Sequence, residues 1–266
     1  MSEIAKTPQE LLNQRMTRVL KAIALEKPDR TPVIAWADAF CANYLGVKLS
    51  EYCANPFVAA DTHLRFFKEF SDFDMTEVDF TPPPLVSMGF MSKMKLPGKE
   101  LPEDANWIVE EKERITPEAY DQILEIGWDA FFSDFVKNEL QIPEDYLGMV
   151  FGTSAQYDPK FYEAGIPIYT LALSPGVPLE ALAGGRTMSN FIKDLYRMPD
   201  KVQAVLDVML ESYINQFRGA VNSMPQKPFS IFIGISRGAP EFLSPKLWHR
   251  FVEPYMYKIV ETIVDL

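Results

Sequence analysis

The sequence predicts an α/β fold in which short parallel strands are joined by helical crossovers. Four apolar runs, residues 32–37, 75–80, 167–172 and 229–235, are bounded by turn residues and rich in β-branched or aromatic side chains. Helical periodicity fills much of the chain between them, and buried strands separated by helices imply parallel pairing. Proline marks where the helices begin. Thr7-Pro8, Asn55-Pro56, Thr116-Pro117 and Ser244-Pro245 each put a capping side chain directly before a residue that misses no donor at the first helical position.

The elements follow in chain order. Thr7 and Glu10 form a capping box, and Leu12, Met16, Val19, Leu20 and Ile23 fall on one stripe behind it. The first strand, 32–37, leads to a helix from 56 to about 70, then to the second strand, 75–80. Residues 91–96 and 107–115 read as a peripheral hairpin around Pro97-Gly98 and the acidic stretch 100–104. Short helices are expected near 118–126 and 189–197, with the third strand at 167–172 between them. Val202, Val205, Leu206, Met209, Leu210, Tyr213, Ile214, Phe217 and Val221 mark a long helix ahead of the fourth strand. The final stripe is Leu247, Phe251, Tyr255, Ile259 and Ile263, on a helix that Pro254 should bend. That helix runs to Asp265-Leu266 without a C-cap glycine, a proline or a polar tail, so the chain is expected to be cut inside or just after it. Four strands are too few to close a barrel; their open edges would be covered by further residues or by a second copy, giving a homodimer.

Composition narrows the function. Hydrophobic residues are 47% and charged residues 24% of the 266, an ordinary globular balance. The net charge of −11 repels phosphate backbones and anionic lipid, so neither nucleic acid nor a membrane surface is expected as a partner. Two cysteines, Cys41 and Cys53, supply neither a disulfide framework nor a four-thiolate zinc site. Without a signal-like N-terminus or an apolar run of about 18 residues, the chain is expected to be soluble and cytoplasmic.

Three blocks carry a resemblance. The first is 18–33, ending Lys27-Pro28-Asp29-Arg30-Thr31-Pro32-Val33. The second is Ile166-Pro167-Ile168-Tyr169, leading to Pro175 and then 191–202. The third is Glu241-Phe242-Leu243-Ser244-Pro245 followed by Phe251-Val252-Glu253-Pro254-Tyr255. In this order and spacing they resemble the uroporphyrinogen decarboxylase superfamily, strongest over 15–50 and 165–266 and weak across 85–160. The resemblance implies a TIM (β/α)8 barrel, of which these four strands would be the first half, in a single domain spanning 1–266. It also implies one of two chemistries, porphyrin decarboxylation or corrinoid-dependent methyl transfer.

The decarboxylase branch holds tetrapyrrole carboxylates with two arginines shortly after Thr-Pro-Val. Here Ala37 and Cys41 stand in their places, with Asp38 between them. The branch's tyrosine after the third strand falls near Ala181, and its Phe-Asp-Ser-Trp turn is replaced by Ile235-Ser236-Arg237-Gly238. Only Asp79 matches, as the aspartate that grips pyrrole N–H groups. The methyltransferase branch tolerates these departures. By resemblance it implies zinc and a corrinoid, yet its His-x-Cys zinc pair occurs nowhere in this chain. The expected function is therefore a corrinoid- or thiol-linked methyltransferase acting on a small-molecule substrate with a corrinoid protein as partner. Decarboxylation of uroporphyrinogen III or another polycarboxylate, and a non-catalytic binding barrel, stand as alternatives.

Chemistry in such a barrel sits at the C-terminal ends of the strands. The candidates there are Asp79 as the catalytic residue, and Trp36, Asp38, Tyr169 and Arg237 as substrate-binding residues. Asp38, Asp79 and Arg237 are expected to converge on one cavity. Against this stand plainer roles: caps or turns for the aspartates, a structural salt bridge for Arg237, core packing for the aromatics. His63, His249, Cys41 and Cys53 lack partners at ligand spacing and are expected to pack or face solvent.

Overall fold

The computed structural model describes residues 6–170, 174–224 and 227–266. In chain order the elements are α1 (Pro8–Ile23), β1 (Ile34–Ala35), α2 (Asp38–Leu45), α3 (Leu49–Ala54), α4 (Pro56–Glu69), β2 (Met75–Thr76), α5 (Pro83–Phe90), β3 (Met94–Lys95) and β4 (Ile108–Val109). There follow α6 (Pro117–Ile126), α7 (Trp128–Asp134) with a π-helical turn (Phe135–Leu140), α8 (Tyr146–Glu163), α9 (Pro178–Arg186), α10 (Met188–Arg197), α11 (Pro199–Ser223), α12 (Pro245–Phe251) and α13 (Glu253–Asp265). The fold is α/β and mostly helical. The described residues form two compact units: the first holds 6–83, 95–107 and 145–170, the second the rest. No helix among the described residues is long and apolar enough to cross a membrane.

In the first unit α1 begins as its sequence dictates. The Thr7 hydroxyl accepts the Glu10 amide while the Glu10 carboxylate accepts the Thr7 N–H. Its buried face differs from the expected apolar stripe, for Arg15 and Arg18 are buried beside Val19 while Leu20 and Ile23 are about half exposed. The arginines go inside because acceptors wait for them. Arg15 donates to the carbonyls of Gly165 (2.5 Å) and Ser71 (2.7 Å), and Arg18 donates to Asp29 and Asp74. Asp74, fully buried, also accepts two N–H groups of Arg30 and the Val33 amide, each at 2.8 Å. This ion cluster ties α1 to the residues just before β1 and β2.

Those two strands pair in parallel, Ile34 opposite Met75 and Ala35 opposite Thr76. Ile168 bridges Thr76 in parallel, and the amides of Tyr169 and Thr170 extend the ladder to the Thr76 and Glu77 carbonyls. Three of the four expected strand segments thus lie side by side in sequence order, although residues 171–172 of the third lie outside the described residues. Helix α4, whose first turn is capped by Asn55 accepting the Phe57 amide, packs against α2, α3 and α8.

The second unit is built on α11, which buries Val202, Val205, Leu206, Met209, Ile214, Phe217 and Val221 of its expected stripe. Trp128, Phe191 and Phe251 fill the same core. Beside it, buried Arg186 bonds Asp194 and the Ile115 carbonyl, and the Tyr120 hydroxyl donates to the same aspartate at 2.9 Å. Pro254 ends one helix and starts the next rather than bending a single one: it occupies the first turn of α13, where a missing N–H costs nothing. Gly184 and Gly185 lie inside α9, where side chains would meet the Phe90 carbonyl and Ile115.

Residues 229–235 form no strand, which corrects the fourth expected strand and its parallel pairing with 75–80. Phe229 and Phe232 are 38% and 42% exposed, while Ile235 packs on the core. Apolar and β-branched composition reports fit to a half-buried surface, which an extended loop satisfies as well as a ladder does. The hairpin expected from 91–96 and 107–115 is present in small as the two-stranded sheet of β3 and β4. Among the described residues no barrel closes.

Candidate functional site

The three parallel segments of the first unit end in residues able to do chemistry. Asp79, three positions beyond β2, is 4% exposed. Its Oδ1 accepts the next amide, that of Phe80, at 2.9 Å, and its Oδ2 accepts the Ser154 hydroxyl at 2.5 Å. Burial raises the Asp79 pKa, and the hydroxyl and amide pull it part of the way back. Ser154 sits on α8, and one helical turn on, four residues later, lies Asp158, whose carboxyl also meets Asp79. Burial first, then the like charge of Asp79 and the hydrogen bond to it, push Asp158 up to about 7. Each charge therefore raises the cost of the other.

Asp38 opens α2 directly after β1 with φ of +41°, in the left-handed region that aspartate tolerates better than most residues. Its carbonyl accepts the Cys41 thiol at 2.8 Å. Burial raises the pKa of its carboxyl, while hydrogen bonds from Thr81 and Trp36 lower it; Oδ1 is buried with no donor among the described residues. The Trp36 indole N–H donates to the Thr81 hydroxyl at 3.1 Å, and the residue is 48% exposed. Thr81 therefore joins Trp36 and Asp38 at the end of β1 to the segment that carries Asp79. Tyr169 is half-buried at the end of the third segment, with its amide on the Thr76 carbonyl. Trp36, Asp38, Asp79 and Tyr169 thus all occupy strand ends of one small parallel sheet.

Arg237 belongs to the second unit. Its guanidinium pairs with Glu111 at 3.3 Å and lies 4.8 Å over the Phe90 ring. Buried Glu180 accepts the amides of Ser236 (2.8 Å), Arg237 (3.0 Å) and Gly238 (2.8 Å), fixing the turn that presents it. The plainer role, a structural ion pair, is thus met within its own unit.

Ser154 and Asp158 went unread in the sequence. They lie in the stretch 85–160, where the resemblance read from the sequence is weak, on a helix whose pattern is interrupted by Gly148, Gly152 and Pro159. The available signal was a serine and an aspartate four apart among buried Val150, Tyr157 and Phe161.

The other candidates are buried or engaged. His63 is fully buried with Nε2 2.8 Å from the Tyr52 hydroxyl, and burial drops its pKa to about 4, so it is neutral. Burial pushes both free thiols, Cys41 and Cys53, up to about 12. His249 is exposed and bonds Glu253 at 2.6 Å. Among the described residues no group of three His, Cys, Asp or Glu side chains is placed to hold a metal ion. Zinc, implied by resemblance, does not fit the residues present, since protonated buried thiols and a neutral, engaged imidazole are not a ligand set.

Comparison with known proteins finds a likeness in part of the chain and a shared fold. No curated protein matches the chain. Among solved structures, a methyltransferase from Methanosarcina mazei shares the fold with a TM-score of 0.60 at 17% identity, over 94% of this chain and 67% of that one. The family model described as uroporphyrinogen decarboxylase (URO-D) matches residues 137–266, a stretch that includes α8 with Ser154 and Asp158 as well as most of the second unit. Over that stretch the chain is similar to the uroporphyrinogen decarboxylase family.

Proposed function

We propose that the chain is a methyltransferase-like enzyme built on a β/α barrel, with Asp79 as its general acid. The observation that carries this reading is the placement of Asp79: a buried carboxyl at a strand end, held by Ser154 and crowded by a second acid. Moving a methyl group from an oxygen, nitrogen or sulfur to a nucleophile leaves the donor heteroatom with an extra electron pair. A neutral carboxyl beside it supplies the proton, and the methyl leaves on the acceptor, a thiol or a corrinoid protein by family resemblance. Trp36 and Tyr169 would wall the substrate, and Asp38, with its free Oδ1, would accept one of its donors. The barrel reading is supported by the sequence order of the three parallel segments and by the fold shared with the Methanosarcina mazei methyltransferase.

The decarboxylase reading has the matching family model in its favour, but a polycarboxylate needs cations. Ala37 and Cys41 replace the arginines that resemblance would place after the first strand, and Arg237 is engaged by Glu111 and Phe90. The experiment is to incubate the chain with deuteromethyl-labelled methanol, methylamine or a methyl thioether, and with a thiol or methyl-accepting corrinoid, and to follow the label by mass spectrometry. Transfer that falls about 100-fold in Asp79→Asn supports the reading, that being the lower end of what a general acid contributes. Unchanged transfer in that variant, or carbon dioxide release from uroporphyrinogen III instead, overturns it.

A further inference from the structure

Asp79 is 4% exposed, and α8 carries a second, half-buried carboxyl that acts on it. We propose that Asp158 is the positioning partner of Asp79: the two carboxyls hold one proton between them beside the Ser154 hydroxyl, and Asp158 exchanges that proton with solvent. This deepens the reading of Asp79 as an acid and rests on it. Geometry carries the case. Asp79 spends one oxygen on the Phe80 amide and the other on Ser154. Asp158 is half-buried, so one side reaches water while its Oδ1 is buried and meets no donor among the described residues. A proton on either carboxyl provides the missing donor. No ion pair reaches either carboxyl among the described residues, so no cation stabilises a doubly charged pair.

The groups acting on Asp158 are few. Asp79 faces it from beyond β2; Tyr162, one turn along α8, has its phenol raised by burial and then by the Asp158 charge. No titratable side chain of α1 or α4, which pack on α8, acts on it. The rise of the Asp158 pKa to about 7 agrees with a single shared proton. In turnover the proton leaves the Asp79 carboxyl for the donor heteroatom, Asp79 becomes a carboxylate, and a solvent proton entering through Asp158 restores the pair.

The test is a carboxyl-carbon NMR titration of the intact chain labelled with 13C-aspartate, which needs no substrate. The parent should show one aspartate titrating near 7. That titration should vanish in Asp79→Asn, and in Asp158→Asn the Asp79 carboxyl should titrate at least about one pH unit lower, a roughly tenfold change in proton affinity. Wherever methyl transfer is measured, the alkaline limb of kcat should move down by the same interval with KM little changed. A purely structural Asp158 would lower stability and leave the Asp79 titration in place, which would overturn the proposal. Should Asp158→Asn fail to fold, Asp79→Asn decides alone: a titration near 7 that persists there refutes the shared proton. A shared proton without methyl transfer would leave the pair standing and remove the enzymatic reading.

Discussion

Replacing Asp74 with alanine should unfold the first unit well before the second. Asp74 accepts hydrogen bonds from Arg18, from two N–H groups of Arg30 and from the Val33 amide, and is itself fully buried. Each charge-assisted bond is worth about 1.5–3 kcal/mol taken singly, but bonds that share one carboxylate do not add. The better measure is the cost of removing one member of a buried ion cluster, about 3–5 kcal/mol, because Arg18, with a side chain 6% exposed, would keep only Asp29. With a melting temperature that moves about 4 °C per kcal/mol in a unit of this size, the first unit should melt roughly 12–20 °C lower. Hydrogen exchange read by mass spectrometry is the suitable assay, since it assigns the loss to peptides covering β1 and β2 and spares α11. Asp74→Asn, which keeps an acceptor for the Val33 amide, should lie between parent and alanine variant. A loss below about 1 kcal/mol in Asp74→Ala would mean that the cluster is solvated and the reasoning wrong.

Two further outcomes follow from buried groups. His63 has its folded pKa depressed to about 4, so the unfolded chain binds the extra proton first; stability is full above about 6.5 and falls as pH drops towards 4, at about 1.4 kcal/mol per unit. Asp158 contributes in the opposite direction over the same range, so the His63 part is read as the difference between parent and His63→Gln in urea titrations at pH 7 and 5; parallel curves would refute it. Gly184→Ala would place a Cβ 1.8 Å from the Phe90 carbonyl oxygen, and the resulting shift should cost the second unit about 1–3 kcal/mol in thermal unfolding, with a neutral result excluding so close an approach.

How far the sequence reached depended on whether the signal was local. Helix starts were legible because the cap and its proline are adjacent: Thr7, Asn55 and Ser244 all accept first-turn amides as expected, while Thr116 holds its cap position without a side-chain bond. The stripe on α11 was legible for the same reason, being long and strictly periodic. On α1 the periodicity misled, since Arg15 and Arg18 are drawn inside by acceptors far along the chain that no local pattern displays. Helix α8 was missed because glycine and proline interrupt its pattern, and only the folded unit shows that Gly184 and Gly185 of α9 make room for neighbours. Of the site, the residues at strand ends could be named from topology, whereas Ser154 and Asp158 reach Asp79 across 75 positions and more of sequence.

The left-handed backbone at Asp38 has a genetic consequence. Asparagine and glycine are the other residues at ease with a φ of +41°, and both lie one nucleotide change from an aspartate codon. β-branched and bulky replacements are strained there. Drift at this turn is therefore channelled towards two neighbours that keep the start of α2 and erase the carboxylate. A lineage released from selection for chemistry at the end of β1 would lose its charge before its shape, and copies of this fold with a silent first strand end should be common among its descendants.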